Sequence, residues 1–239
     1  IGNLPACVTR GFSGKIITNY ENQEIMKPML IDTAFIHNRN ITSLNNRGKK
    51  YEALFDESDV YSTLSKIESY PENEMIKLNS NLSFRFLPNN HCVGSTQLEL
   101  FVKKPSGRIV KIGYTSDLGS NLNQKYRPYS KDRINITKCN LAIFESTYGE
   151  DGRSFTKKEV DNEMMEFKSL IKNTISDKHR ILIPTFSFDR AQSIMIFLYD
   201  SFKNDGSFKA KVIVDSRLLN SINGVYRNIL TGDKLDYWN

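Results

Sequence analysis

The 239-residue chain, 39% hydrophobic and 25% charged, is long enough to bury one sizeable core or two smaller ones, although it is lean for a globular protein. No apolar run approaches the roughly 20 residues of a membrane-spanning helix, and residues 1–11 lack the charged start and apolar centre of a secretory signal. A net charge of +6 favours a polyanionic partner, while the three cysteines, Cys7, Cys92 and Cys139, are odd in number and form no close pair, which argues against a disulfide framework and for a reducing, cytoplasmic compartment.

In chain order, residues 14–18 read as a short strand. Residues 22–37 read as a helix with Asn22 as its cap and Met26, Met29, Leu30 and Ala34 on one face. Pro28 fits only a first turn, so this helix is expected to start late or to kink. Residues 38–55 are polar and rich in Gly, Lys and Asn, and read as a loop. Asp56 then caps a helix that places Val60, Leu64 and Ile67 at i, i+4 and i+7. Alternation of apolar and polar residues marks 82–87 and 97–102 as strands, and 108–114 reads as a third. Residues 118–138, with Pro128, read as irregular, and 140–144 as a short buried strand that delivers Glu145 at its end. Thr156 and Glu159 form a capping box, and the helix behind it sets Val160, Met164, Phe167 and Ile171 on one side. Strands at 180–184 and 211–214 lead into helices near 188–202 and 217–230. Strands alternating with helices imply right-handed crossovers and a parallel sheet, with the Asp151-Gly152 turn as the expected domain boundary.

The chemistry concentrates at the strand edges. His91 lies in Asn89-Asn90-His91-Cys92-Val93-Gly94-Ser95, between two strands, and Asp117 follows the third. Loops on a rigid strand scaffold are where metal ligands are usually placed, and an imidazole with a carboxylate suits a zinc-like ion. The bland alternative is an ordinary hydrogen-bonded pair. Cys92 beside His91 is expected to turn away from it, into the core. His37 and His179 have no motif around them and read as surface or structural residues.

The order of segments decides between these readings. His91-x-x-Gly94-Ser95, Ser116-Asp117-Leu118, Phe144-Glu145-Ser146-Thr147-Tyr148-Gly149, the run from Ile183-Pro184 to Arg190-Ala191-Gln192, and Val214-Asp215-Ser216 together resemble the β-CASP branch of the metallo-β-lactamase superfamily. The wording is nearest to RNA-processing nucleases similar to the nuclease subunit of the cleavage and polyadenylation factor. The resemblance spans nearly the whole chain and includes Ile1-Gly2-Asn3-Leu4-Pro5, which resembles the text just after the family's main metal motif. That motif, His-x-His-x-Asp-His, would stand immediately before Ile1, and two further His motifs would follow Asn239. The chain is therefore expected to be an internal piece of a longer nuclease.

The resemblance implies an α/β fold: part of a metallo-β-lactamase αββα sandwich over residues 1–150 and part of a β-CASP parallel α/β domain over residues 151–239. It implies two zinc ions in the intact protein, with His91 and Asp117 as ligands and Asp117 bridging both ions. Glu145 would orient a metal-bound His through a hydrogen bond, so Asp117 and Glu145 are the expected catalytic residues. Ser187 and Arg190 are candidates for nucleic-acid binding at a helix start. Ser187 or Asp189 would cap that helix, and Arg190 serves equally well as an internal ion-pair partner. The implied activity is zinc-dependent hydrolysis of phosphodiester bonds in single-stranded RNA, with no membrane partner and with homo-oligomerisation left open. Three other readings stay in view: a DNA-acting relative, a non-catalytic RNA-binding pseudo-nuclease, and a small-molecule hydrolase. The inserted second region argues against the last.

Overall fold

The structure is a computed structural model, and it describes residues 1–122, 125–127, 131–149 and 155–230. Pro128 and the expected Asp151-Gly152 boundary lie outside the described residues. The elements are α1 (Leu4–Thr9), β1 (Ile16–Thr18), α2 (Tyr20–Asn45), α3 (Glu57–Leu64), β2 (Ile67–Ser69), β3 (Ile76–Lys77), β4 (Leu82–Pro88), β5 (Thr96–Lys103), β6 (Ile109–Tyr114), β7 (Leu141–Ile143), α4 (Lys157–Ser176), α5 (Arg190–Phe202) and α6 (Arg217–Ile229). The result is a mixed α/β fold.

β3 to β7 form one five-stranded sheet in sequence order, antiparallel except for the last, parallel pair, and β1 pairs with β2 in a second, two-stranded sheet. Direction then places the loops. β4 and β6 both run opposite to β5, and β7 runs with β6. The C-terminal ends of β4, β6 and β7 therefore share one edge of the sheet. Pro88 pairs with Thr96, Leu98 with Tyr114, and Tyr114 with Ile143, so the loops carrying His91, Asp117 and Glu145 emerge side by side.

Residues directly opposite each other on paired strands share a face. Phe84, Leu100, Ile112 and Leu141 stand in one cross-strand row, and Phe86, Leu98, Tyr114 and Ile143 in the next. The opposite face holds Glu99, only 1% exposed, between Arg85 and Lys111. Those two cations offset the burial of its carboxylate and hold it below the ordinary range.

Three cores support this frame. One packs α1, α2 and α3 through Ala6, Met26, Leu30, Ala34, Phe55 and Val60. A second joins Ile171 of α4 to Phe197 and Phe202 of α5. The third draws α2, α5 and α6 together through Ile25, Ile196, Ile222, Tyr226 and Ile229, and it includes Val93 from the His91 loop.

Several elements differ from the sequence reading. α2 starts at Tyr20, capped by Asn19 rather than Asn22, and continues through Asn45, so Pro28 lies in its interior. The apolar stripe of Ile25, Met26, Leu30 and Ala34 is buried, and this packing outweighs the lost hydrogen bond. Ile67 does not extend α3; it pairs with Ile16 in the short parallel sheet. β7 is an edge strand whose three residues are exposed rather than buried. Residues 180–184 and 211–214 are not strands in the structure, and among the described residues neither segment pairs with another strand. Among the described residues no strand follows β7, so the expected parallel sheet of the second region is not formed.

Candidate functional site

The 89–95 turn is fixed from several sides. Val93, fully buried, anchors it in the core shared with α5 and α6; burying such a side chain contributes about 1.5–3 kcal/mol. The His91 backbone N–H is shared between Asn89 Oδ1 at 3.1 Å and Ser95 Oγ at 3.0 Å. The side-chain amides of Asn19 and Asn22 both donate to the Gly94 carbonyl, at 2.9 and 2.7 Å. Gly94 itself has φ +73, and a Cβ there would stand 2.7 Å from Asn22 Oδ1, so both conformation and space require glycine.

The second loop is bound to the first. The Asn89 side-chain amide, buried, donates to the carbonyls of Thr115 at 3.2 Å and Asp117 at 2.9 Å. The Gly119 backbone N–H donates to the Asn89 carbonyl at 3.0 Å. Asn90 and Ser116 both adopt left-handed backbone, φ 60 and 55. Such conformations outside glycine are uncommon and cluster where a backbone is held for a purpose.

This framework sets His91 Nε2 3.9 Å from Asp117 Oδ2, with the His91 side chain 37% and the Asp117 side chain 72% exposed. The gap is too long for a hydrogen bond. The two donors are of the right chemistry for zinc, which takes imidazole nitrogen and carboxylate oxygen. They are two of the about four donors that such an ion takes. No group of three or more His, Cys, Asp or Glu that could hold a metal ion is present among the described residues.

Glu145 lies two residues past β7, and its N–H donates to the Thr115 side-chain Oγ1 at 3.2 Å. Its carboxylate accepts the Leu118 N–H at 2.6 Å and the Thr147 N–H at 3.3 Å. These donors, with the nearby His91, hold it below the ordinary carboxylate range. In the structure Glu145 thus braces the residue that follows Asp117.

Cys92, beside His91, is half-buried, and burial pushes its thiol up to about 12. His37 is occupied elsewhere, accepting the Leu54 N–H at 3.0 Å and stacking on Phe55. At the start of α5 neither expected cap acts as one: Asp189 makes no side-chain cap hydrogen bond, and Ser187 Oγ lies 3.0 Å from Ser216 Oγ. Ser216 instead caps α6. Arg190 keeps a side chain 51% exposed while lying 3.5 Å from Asp189.

The sequence reading did not single out Arg127. Its guanidinium donates to the carbonyls of Asn90 and His91 from a stretch with no periodic pattern to flag it. Asn89 and Gly119 were visible as loop residues, but only the meeting of two loops gives them their roles.

No family model matches the chain. Individual proteins do. An RNase J-like protein of Methanocaldococcus jannaschii is 25% identical over 168 residues, 70% of this chain and 37% of its own length. Endoribonuclease YSH1 of Saccharomyces cerevisiae is 24% identical over 198 residues, 82% of this chain and 24% of its own. A ribonuclease of Thermus thermophilus is 25% identical over 199 residues, 83% of this chain and 40% of its own. The chain therefore spans between about a quarter and two fifths of the length of these relatives. The chain is a distant homologue of the β-CASP ribonucleases, at about 25% identity over about 80% of its length. That homology implies the metallo-β-lactamase and β-CASP fold. Among the described residues no helix is long and apolar enough to cross a membrane.

Proposed function

We propose that this chain carries part of the catalytic centre of a zinc-dependent ribonuclease that hydrolyses phosphodiester bonds in single-stranded RNA. The observation that carries the reading is the convergence of His91 and Asp117, from two separately braced loops, to 3.9 Å in a chain homologous to ribonucleases. Zinc, when bound, lowers the pKa of a coordinated water toward about 7, giving a hydroxide nucleophile at neutral pH. His91 and Asp117 would serve as ligands. Glu145, through Leu118, keeps the Asp117 loop in place, and preorganised ligands of this kind need no reorganisation when the reaction occurs. The half-exposed Arg190 and the net charge of +6 suit a polyanionic strand tracked by its backbone. Ser187, turned toward Ser216, would contribute at most a backbone or hydroxyl contact near the start of α5.

The alternative is a non-catalytic RNA-binding subunit. A cleavage assay separates the two readings. The protein that carries this chain should cut single-stranded RNA, lose the activity to a chelator, and recover it when zinc is restored. RNA that is bound but never cut at any zinc concentration would establish the non-catalytic subunit instead. DNA cut as readily as RNA would move the substrate assignment.

A further inference from the structure

Asp189 does work that the start of a helix does not ask of it. It immediately precedes α5, is 4% exposed, and has φ +65. An Asp in this place normally accepts a backbone N–H of the first turn, yet its side chain caps nothing. Its Oδ2 lies instead 3.7 Å from Arg127 Nη2 and 3.5 Å from Arg190 Nη1. Arg127 is itself only 8% exposed. Its Nη1 donates to the Asn90 carbonyl and its Nη2 to the His91 carbonyl. A buried guanidinium is costly without a facing anion, and Asp189 is a carboxylate that faces it. Burial pushes Asp189 up and Arg127 down, and each charge opposes the other's shift.

The His91 backbone is thus gripped on two sides. Asn89 and Ser95 hold its N–H, and Arg127 holds the carbonyls on both of its peptide planes. We propose that Asp189 is a positioning residue: acting through Arg127, it fixes the peptide planes around His91 and so aims the imidazole at Asp117. The clamp ties α5 to the site. Its bearing on catalysis rests on the ribonuclease reading, but the aim of the ring is measurable without metal or RNA.

The three histidines, His37, His91 and His179, supply the probe and its controls. Imidazole carbon and nitrogen resonances of the metal-free chain are recorded for wild type, Asp189→Gly and Asp189→Asn. Glycine relieves the left-handed backbone, so a residue with only a local structural role would leave Asp189→Gly as stable as wild type or more so, with His91 unmoved. The clamp predicts a fold that survives while His91 signals shift and broaden, with His37 and His179 superimposable on wild type. Asp189→Asn, which keeps shape and loses charge, should move His91 in the same direction. In RNA cleavage the same variants should lower kcat with KM unchanged. His91 resonances identical to wild type in a folded Asp189→Asn protein would overturn the proposal, even if Asp189→Gly failed to fold. The ribonuclease reading fails by a different result, namely a His91→Ala protein that cleaves RNA at the wild-type rate.

Discussion

Gly119 shows how tightly single residues set this site. A Cβ at this position would stand 1.6 Å from the Asn90 carbonyl oxygen and 2.4 Å from the His91 backbone nitrogen. These are backbone atoms of the very loop that carries His91, so neither can yield without moving it. Gly119→Ala should therefore cost about 2 kcal/mol, read as a lower denaturation midpoint at unchanged slope, and should displace the His91 imidazole signals. An alanine variant as stable as wild type would mean that the two loops do not meet as described. Glu145 carries a second expectation. Its pKa lies below the ordinary value of 4.5 in the folded chain because it accepts the Leu118 and Thr147 N–H groups. A depressed folded pKa means that the tether contributes stability above the unfolded value and loses it as pH falls through the lower, folded value. The Leu118 amide shift should thus hold steady from neutrality down past 4.5 and move only below it; a midpoint at or above that value would contradict the tether. At this scale the sequence named His91, Asp117 and Glu145 because a recurring order of short motifs marks them. It did not name Arg127 or Gly119, whose roles exist only once segments distant in the chain touch.

Elements were legible where local chemistry fixes them. The Asp56 cap and the Thr156–Glu159 capping box, both read from sequence, are present, and in the structure Asp59 completes a second box at Asp56; such contacts depend on residues three apart and need no tertiary information. β4 and β5 are marked by alternation alone. Pro28 misled because its cost is local while its compensation is not: the buried stripe of α2 packs against α1, α3 and α6. That cost should still be present. Pro28→Ala restores a backbone donor and removes the ring's clash with the preceding turn, so it should stabilise the chain by about 1 kcal/mol or more. Denaturation with a lowered midpoint would show instead that the ring itself packs usefully. The apolar segments at 180–184 and 211–214 misled for the opposite reason. They have strand-like composition, but a strand exists only with a partner, and pairing is a long-range property that composition does not specify.

The molecule as a whole leaves apolar surface uncovered. Leu182 is 89% exposed, Phe186 81% and Ile213 77%, and on the sheet Tyr114, Leu141 and Ile143 are each about half exposed. Large exposed apolar patches and open strand edges promote association. The 239-residue chain alone should show an apparent mass in light scattering that rises with concentration; a strict monomer at every concentration would show that these surfaces are covered in solution. The division into a domain over residues 1–150 and another over 151–239 stands as a proposal beside the core that α2 shares with α5 and α6.

The central claim is that His91 and Asp117 act in the chemical step of phosphodiester hydrolysis, and single-turnover cleavage of single-stranded RNA by the protein that carries this chain tests it most directly. With His91→Ala or Asp117→Ala, the rate of the chemical step should fall by most of its value. RNA affinity should change little, because phosphates are held mainly by basic side chains. Both variants cleaving at the wild-type rate, with RNA binding intact, would contradict the account.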